Sequence, residues 1–272
     1  VSTAFVLRLQ YTTLLSERER SALEHLPSEP QLFAPRENIA PPGETDRLAL
    51  VLSGIAGRYK LHLNGNRRIV SLALPGDLCD IQALETGLRG LPLRALTPCT
   101  VASLPRSALT GLAAEHPGIA RALWRLALAE LSTAREWLVN DSRPAEKRMA
   151  HLLCELLVRL RAMGLAGESS FELKLSQVDL AEAIGISFVH VNRILQSLRS
   201  SALIELNRPV LSVPDVARLR AFAEFDPTYL QLGGAGNPPL GPAQPRQPAP
   251  NWEPMPPLRR AADERGPVAT PS

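Results

Sequence analysis

The stretch that decides the fold runs from Leu175 to Leu206 and reads LSQVDLAEAIGISFVHVNRILQSLRSSALIEL. Ser176, followed three residues later by Asp179, has the form of a capping box. It opens a helix whose expected inward positions are Val178, Leu180, Ala181 and Ile184. Gly185 supplies the left-handed backbone that ends this helix and turns the chain in about three residues. Ser187 then caps a second helix with Val191, Ile194, Leu195 and Leu198 directed inward. Small Ala181 fits the place where two helices cross closely. Outside this pattern lie Val189, Asn192, Arg193 and Gln196, with Phe188 and His190 beside them at the N-terminal end of the second helix.

An αα-corner in a protein core has the same inner pattern, but its outer stripe has no reason to be polar and basic. Downstream, Leu203-Ile204-Glu205-Leu206 and Val210-Leu211-Ser212-Val213 flank Asn207-Arg208-Pro209 as a small β-wing. A winged helix-turn-helix that binds duplex DNA is therefore expected, its second helix entering the major groove. Arg193 suits two parallel hydrogen bonds to guanine, and Asn192 or Gln196 suits adenine. Arg208 at the wing tip is placed for a phosphate. The candidate DNA-contacting set is completed by the cap residues Ser176 and Ser187 and by Phe188, Val189 and His190.

Upstream, Pro144 to Met163 reads as a helix with Met149, Leu152, Leu153, Leu156, Leu157 and Leu160 as its core stripe. Before it, Pro117 to Asn140 is a longer helix of about 36 Å. Ile119, Leu123, Leu126, Ala127, Leu131, Ala134 and Leu138 mark one face there, and Trp124 and Leu128 widen it. That breadth allows two readings: a helix packed on its own barrel and on a second copy of itself, or a helix buried in a monomer.

Between Leu32 and Arg106, Pro42-Gly43, Ser53-Gly54, Asn64-Gly65 and Pro75-Gly76 recur at a period of about 11 residues, the spacing of turns in an all-β sandwich or barrel. Strand-length runs lie between them at 48–52, 56–61 and 68–73, and a last one at 100–104. Asn64-Gly65 is a strong hairpin turn. The expected fold is thus α+β: a jelly-roll-like β-roll over residues 14–115, a long helix over 116–141 that serves dimerisation on the first of its two readings, and a winged helix-turn-helix over 142–230. Residues 231–272, rich in Pro, Gly and Ala, bury too little to offset their ordering entropy and read as a disordered tail, with a Pro-rich docking segment around Trp252 as the alternative.

The 272 residues exclude a disulfide-stapled miniprotein, and no apolar stretch is long enough for a membrane span. Cys79, Cys99 and Cys154 are odd in number and scattered, which fits a reducing, cytoplasmic setting rather than a disulfide framework. Val1 to Leu9 do not read as a signal peptide. A net charge of +3 with a pI near 9.0 hints at a polyanionic partner. His151 and Cys154 form an i, i+3 pair, but two ligands do not make a metal site, and the core reading is preferred. No Ser/His/Asp or paired-carboxylate arrangement supports catalysis, so an enzyme is not expected.

The order β-roll, long helix, winged helix-turn-helix resembles the Crp/Fnr family of bacterial transcription regulators over roughly Leu14 to Leu230. The most specific match is His190-Val191-Asn192-Arg193-Ile194-Leu195, where the family's Thr-Val-Ser/Gly-Arg-x-Leu ends in the same arginine. The departure is Val189, where many members carry a glutamate that contacts cytosine. The resemblance implies a homodimer on a roughly palindromic operator, RNA polymerase as a further partner, and an effector in the β-roll. Cyclic-nucleotide-binding members carry Gly-Glu after the Pro-Gly-Asp turn and an Arg-Ser or Arg-Thr pair about ten residues later. Here Pro75-Gly76-Asp77 is followed by Leu78-Cys79-Asp80-Ile81 and by Arg89-Gly90, so the glutamate and the hydroxyl are missing and cAMP is not the expected effector. Asp80, Arg89 and Arg94 are the candidate effector contacts of the roll. Ser132 and Thr133 are those of the long helix. The oxygen-sensing branch holds an iron-sulfur cluster on cysteines near its N-terminus, and no cysteine precedes Cys79 here, so no such cluster is expected. The rival class is an effector-binding sensory module whose helical domain docks a protein partner rather than DNA.

Overall fold

The computed structural model describes residues 3–233; the expected tail, including the stretch around Trp252, lies outside the described residues beyond Gly233. Two short helices, α1 (Thr3–Gln10) and α2 (Glu17–Glu24), precede the roll. Its first strands are β1 (Glu29–Phe33), β2 (Asn38–Ala40), β3 (Gly43–Glu44), β4 (Arg47–Ser53), β5 (Ala56–Leu61) and β6 (Arg67–Ala73). β7 (Leu78–Cys79), a helical turn α3 (Ala83–Thr86), β8 (Leu88–Arg89), β9 (Leu93–Ala95) and β10 (Cys99–Pro105) complete it. Two antiparallel four-stranded sheets result, ordered β1-β10-β4-β7 and β2-β9-β5-β6, with β3 and β8 paired alongside. This is the jelly-roll-like arrangement that the regular turns predict.

The β5–β6 hairpin turns where expected. Gly65 takes φ 82°, His62 and Asn66 close the ladder at 2.8 Å, and the Asn64 side chain accepts from the Asn66 amide at 3.0 Å. β4 is buried on both faces. Leu48 and Leu50 pack with Leu78, Ala102 and Leu104 toward the helices, whereas Ala49 and Val51 meet Cys79 and Val101 between the sheets.

α1 is absent from the sequence expectation, which starts the domain at Leu14. Its Phe5 and Leu9 are fully buried in the cluster that holds Leu48, Leu50 and Leu104, so the roll's core begins ahead of that boundary. After β10 come α4 (Arg106–Glu115) and the long helix α5 (Pro117–Asp141). The residues read as one α5 face divide in two. Ile119, Leu123 and Leu126 are buried against the roll, while Leu131, Ala134 and Leu138 lie exposed with Trp124 and Leu128.

α6 (Ala145–Ala162) is buried almost all round, with all six expected core residues inside. β11 (Ser170–Glu172), α7 (Gln177–Ile184), α8 (Phe188–Ser200), β12 (Glu205–Asn207), β13 (Val210–Ser212) and α9 (Val216–Ala223) follow, then a 3₁₀ turn at Pro227–Leu230. β11 pairs with β13 opposite Ser212, which makes the expected two-stranded wing a three-stranded sheet. The core of this half is continuous with Ile69, Leu72 and Leu74 on and after β6. Among the described residues no helix is long and apolar enough to cross a membrane.

Candidate nucleic-acid interface and sensor cavity

α7 and α8 form the helix-turn-helix, and each expected local device is present. The Ser176 hydroxyl accepts from the Asp179 amide at 3.2 Å, and the Asp179 carboxylate accepts from both the Ser176 amide (2.9 Å) and hydroxyl (2.6 Å). Gly185, at φ 68°, donates to Ala181 O at 2.8 Å, and Ile186 donates to the same oxygen at 3.1 Å. A side chain at 185 would strain that left-handed backbone and would also strike the Arg68 guanidinium of β6, which lies against the turn. Ser187 accepts from the His190 amide at 3.3 Å. Both candidate serines therefore commit their hydroxyls to helix ends.

Val191, Ile194, Leu195 and Leu198 are buried as expected. Val178 is not: it is 39% exposed, and Ala183 takes its place inside with Leu180, Ala181 and Ile184. Two residues from Leu180 is about 200° round a helix, so Val178 falls on the far side of the inner face. Phe188, Val189, His190, Asn192, Arg193 and Gln196 are all exposed on α8, and Arg208 is exposed at the tip of the β12–β13 wing. Gln177, a residue that the sequence pattern does not single out, donates its amide Nε2 to Asn192 Oδ1 at 2.7 Å. Its signal is invisible in periodicity because the two residues lie on different helices.

The roll, α4 and α5 line most of a half-open cavity of about 980 Å³. Its wall is mostly aliphatic, including Leu72, Leu74, Ile81, Leu84, Leu109 and Leu123, with Arg58 and Glu130 among its few charges. Of the five candidate effector contacts only Thr133 lines it, and its hydroxyl donates to Ala129 O at 2.9 Å. Ser132 does not line it, and Arg94 donates instead to Arg36 O at 2.9 Å on the roll's surface.

Asp80 and Arg89 are buried behind the wall and paired with each other. Arg89 Nε donates to Asp80 Oδ2 at 2.6 Å, and its two terminal nitrogens donate to Pro41 O (3.2 Å) and Arg47 O (3.1 Å). Asp80 Oδ1 faces Arg58 Nε at 3.5 Å, and Arg58 Nη1 meets Glu130 Oε1 of α5 at 2.7 Å. A chain of alternating charges thus runs from β8 to the long helix. Burial works against the Arg58 charge, but Glu130, Cys79 and Asp80 outweigh it and raise its pKa. His151 and Cys154 belong to the core: His151 packs edge-on to Phe225 (5.0 Å) and stacks on Tyr229 (5.8 Å), and burial pushes the Cys154 thiol up to about 12.

A second polar cluster joins the two halves. Asp77, in the Pro-Gly-Asp turn, accepts from Arg8 Nε of α1 at 3.1 Å and from Arg159 Nη2 of α6 at 2.5 Å. Arg159 also donates to Leu72 O and to Glu155, both at 2.9 Å. Glu155 in turn accepts from Trp137 Nε1 at 2.9 Å and from the Tyr229 hydroxyl at 2.8 Å. At the other end of the joint Arg67 faces Glu182 of α7 at 3.6 Å, and Arg68 meets Asp141 at 2.5 Å. Pro75 and Asp77 of the turn, with Arg8 and Arg159, line the cavity, so the cavity borders the contact between roll and reader.

The comparisons with known proteins agree with this geometry in both halves. Residues 147–222 match the Crp-like helix-turn-helix domain, and residues 30–116 match the cyclic nucleotide-binding domain. The chain is 31% identical over 163 residues to the nitrogen fixation regulation protein FixK of Azorhizobium caulinodans, a match that spans 59% of this chain and 64% of that protein. It is 30% identical to FixK of Bradyrhizobium diazoefficiens over 64% of this chain and 72% of the relative. The solved structure of FixK2 from Bradyrhizobium japonicum superposes with a TM-score of 0.64 at 26% identity, covering 72% of this chain and 98% of that one. With a nucleotide-type roll, a long helix and a winged reader in the same order, the chain belongs to the Crp/Fnr family of DNA-binding transcription regulators.

Proposed function

We propose that this regulator acts as a homodimer on a roughly palindromic operator, with the two α5 helices paired along their exposed faces. The observation that carries this reading is the exposed apolar series Trp124, Leu128, Leu131 and Leu138, spaced by four, three and seven residues along α5. That is the spacing of a helix–helix seam. Trp124 and Leu138 are 68% and 73% exposed, far more than residues with a role in the isolated chain's core. A two-fold dimer presents two copies of α8, so the half-sites lie about one helical turn, some 34 Å, apart. Arg193 and Gln196 contact base edges and Arg208 a phosphate.

The aliphatic cavity bordering the Asp77 joint is the place for an effector whose binding shifts the reader, and the buried Arg89–Asp80 pair argues against a cyclic nucleotide there. Acting on transcription from such a site requires contact with, or exclusion of, RNA polymerase, the remaining partner of the reading. Selection of bound duplexes from a random pool, with binding then followed against salt, tests it. A two-fold symmetric sequence with affinity falling steeply as salt rises is expected, because phosphate contacts release counterions. Salt-insensitive binding without a preferred sequence would favour protein docking instead.

A further inference from the structure

The N-terminal half of α8 leaves two large apolar side chains in water. Phe188 is 49% exposed and Val189 is 61% exposed, although Val191, Ile194, Leu195 and Leu198 already fill the inner face. Asn192 lies four residues after Phe188 and three after Val189, so the three share one patch of helix surface. The Gln177 amide holds Asn192 Oδ1 at 2.7 Å, which turns that oxygen toward α7 and leaves the Nδ2 donor directed away from it. The patch offers two apolar groups beside one hydrogen-bond donor, flanked by the exposed Arg193.

Only one base presents the complement of that patch in the major groove. Thymine carries a methyl group beside the O4 acceptor; adenine has a donor and an acceptor and no methyl, guanine two acceptors and no methyl, cytosine a donor. We propose that Phe188, Val189 and Asn192 read thymine, with the methyl against the two apolar side chains and O4 accepting from Asn192 Nδ2, and that Gln177 is the positioning residue that fixes the amide. The bidentate adenine contact expected of Asn192 gives way because its oxygen is already held. This inference rests on the reading that α8 enters the major groove. Moving a methyl from water to an apolar surface corresponds to about a fourfold gain in affinity.

The test uses the full chain and its selected operator, resynthesised with each thymine in turn replaced by uracil, which removes the methyl and keeps O4 and the base pairing. One or two thymines per half-site should lose about threefold to tenfold in affinity. That loss should fall below about twofold in Val189→Ser or Phe188→Ala, both exposed positions that leave the core intact. Gln177→Glu should accept from Asn192 Nδ2, turn Oδ1 outward, and move the selected base at that position from thymine to adenine or cytosine. A merely structural Gln177 would change overall affinity without changing the base. Uniform tolerance of uracil, or uracil sensitivity unchanged in both apolar variants, overturns the thymine assignment while leaving DNA reading in place. Failure of the wild type to select any sequence in a salt-dependent way overturns the underlying reading instead.

Discussion

At position 89 an arginine stands where a cyclic-nucleotide roll needs its anion clamp, yet three of its nitrogens are spoken for by Asp80, Pro41 and Arg47. Sequence alone leaves Arg89 open as an effector contact, because a carboxylate nine residues away, in the turn after β7, cannot be paired with it by spacing. The structure makes Asp80 an internal anion in the clamp. Calorimetry with cAMP and cGMP should therefore show binding weakened by roughly a hundredfold or more relative to a complete site, since two missing hydrogen bonds to charged or buried groups cost about 1.5 to 3 kcal/mol each. A micromolar dissociation constant accompanied by tighter operator binding would sink that expectation. On the reader, Arg193 is exposed on α8 and Arg208 at the wing tip, and the two should fail differently. Arg193→Ala should cost about 1 to 3 kcal/mol at one base pair per half-site and relax the preference there. Arg208→Ala should weaken all sequences alike and lower the salt slope by about one. A selected sequence unchanged by Arg193→Ala would show that the stripe is misplaced.

Among the elements, α5 carries the largest difference between pattern and structure. Its apolar residues form one broad stripe in the sequence; in the fold Ile119, Leu123, Leu126 and the partly buried Ala127 serve the roll, while Trp124, Leu128, Leu131, Ala134 and Leu138 face outward. Periodicity tells which residues are apolar but not which of two partners each one meets. Leu138 is 73% exposed, so Leu138→Glu costs the isolated chain little, yet in a paired seam it brings two like charges together in an apolar setting. Light scattering at micromolar concentration should report a dimer for the wild type and a monomer for Leu138→Glu or Leu131→Glu, with melting of Leu138→Glu nearly unchanged. A wild type that is monomeric there would remove the seam. Elements announced by local chemistry were legible: the Asn64-Gly65 hairpin, the Gly185 turn and the caps at Ser176 and Ser187 are each settled within a few residues. α1 was not, because the cluster that buries Phe5 and Leu9 includes Leu48 and Leu50 of β4 and Ile119 of α5, all far downstream in the sequence. The Gln177–Asn192 contact and the third wing strand were missed for the same reason: their partners come from other elements.

At the scale of the whole molecule, the two halves share a core and are pinned at Asp77, whose side chain is 16% exposed and lies between Arg8 and Arg159. Pairs separated by 69 and 82 residues leave no trace in a sequence pattern. Burial pushes the Asp77 carboxyl up, but the Arg159 and Arg8 charges, the Leu74 amide and the Arg8 hydrogen bond together outweigh it and hold the group below its ordinary value. A carboxyl depressed in the native state contributes stability that is fully present above its unfolded pKa of about 3.9 and is lost as pH falls through the native value. Asp77→Asn keeps the shape and removes the charge, leaving two largely buried arginines short of a partner, which should cost about 3 kcal/mol at neutral pH. Urea midpoints for both proteins between about pH 7 and pH 3 should then show a gap that is constant down to roughly pH 4 and narrows below it, as the wild-type carboxylate takes up its proton. Other depressed carboxyls, Glu136 among them, titrate in both proteins and cancel in the difference. A gap that stays constant through the acid limb would mean that Asp77 acts through packing rather than through its charge, and the electrostatic pin between roll and reader would have to be abandoned.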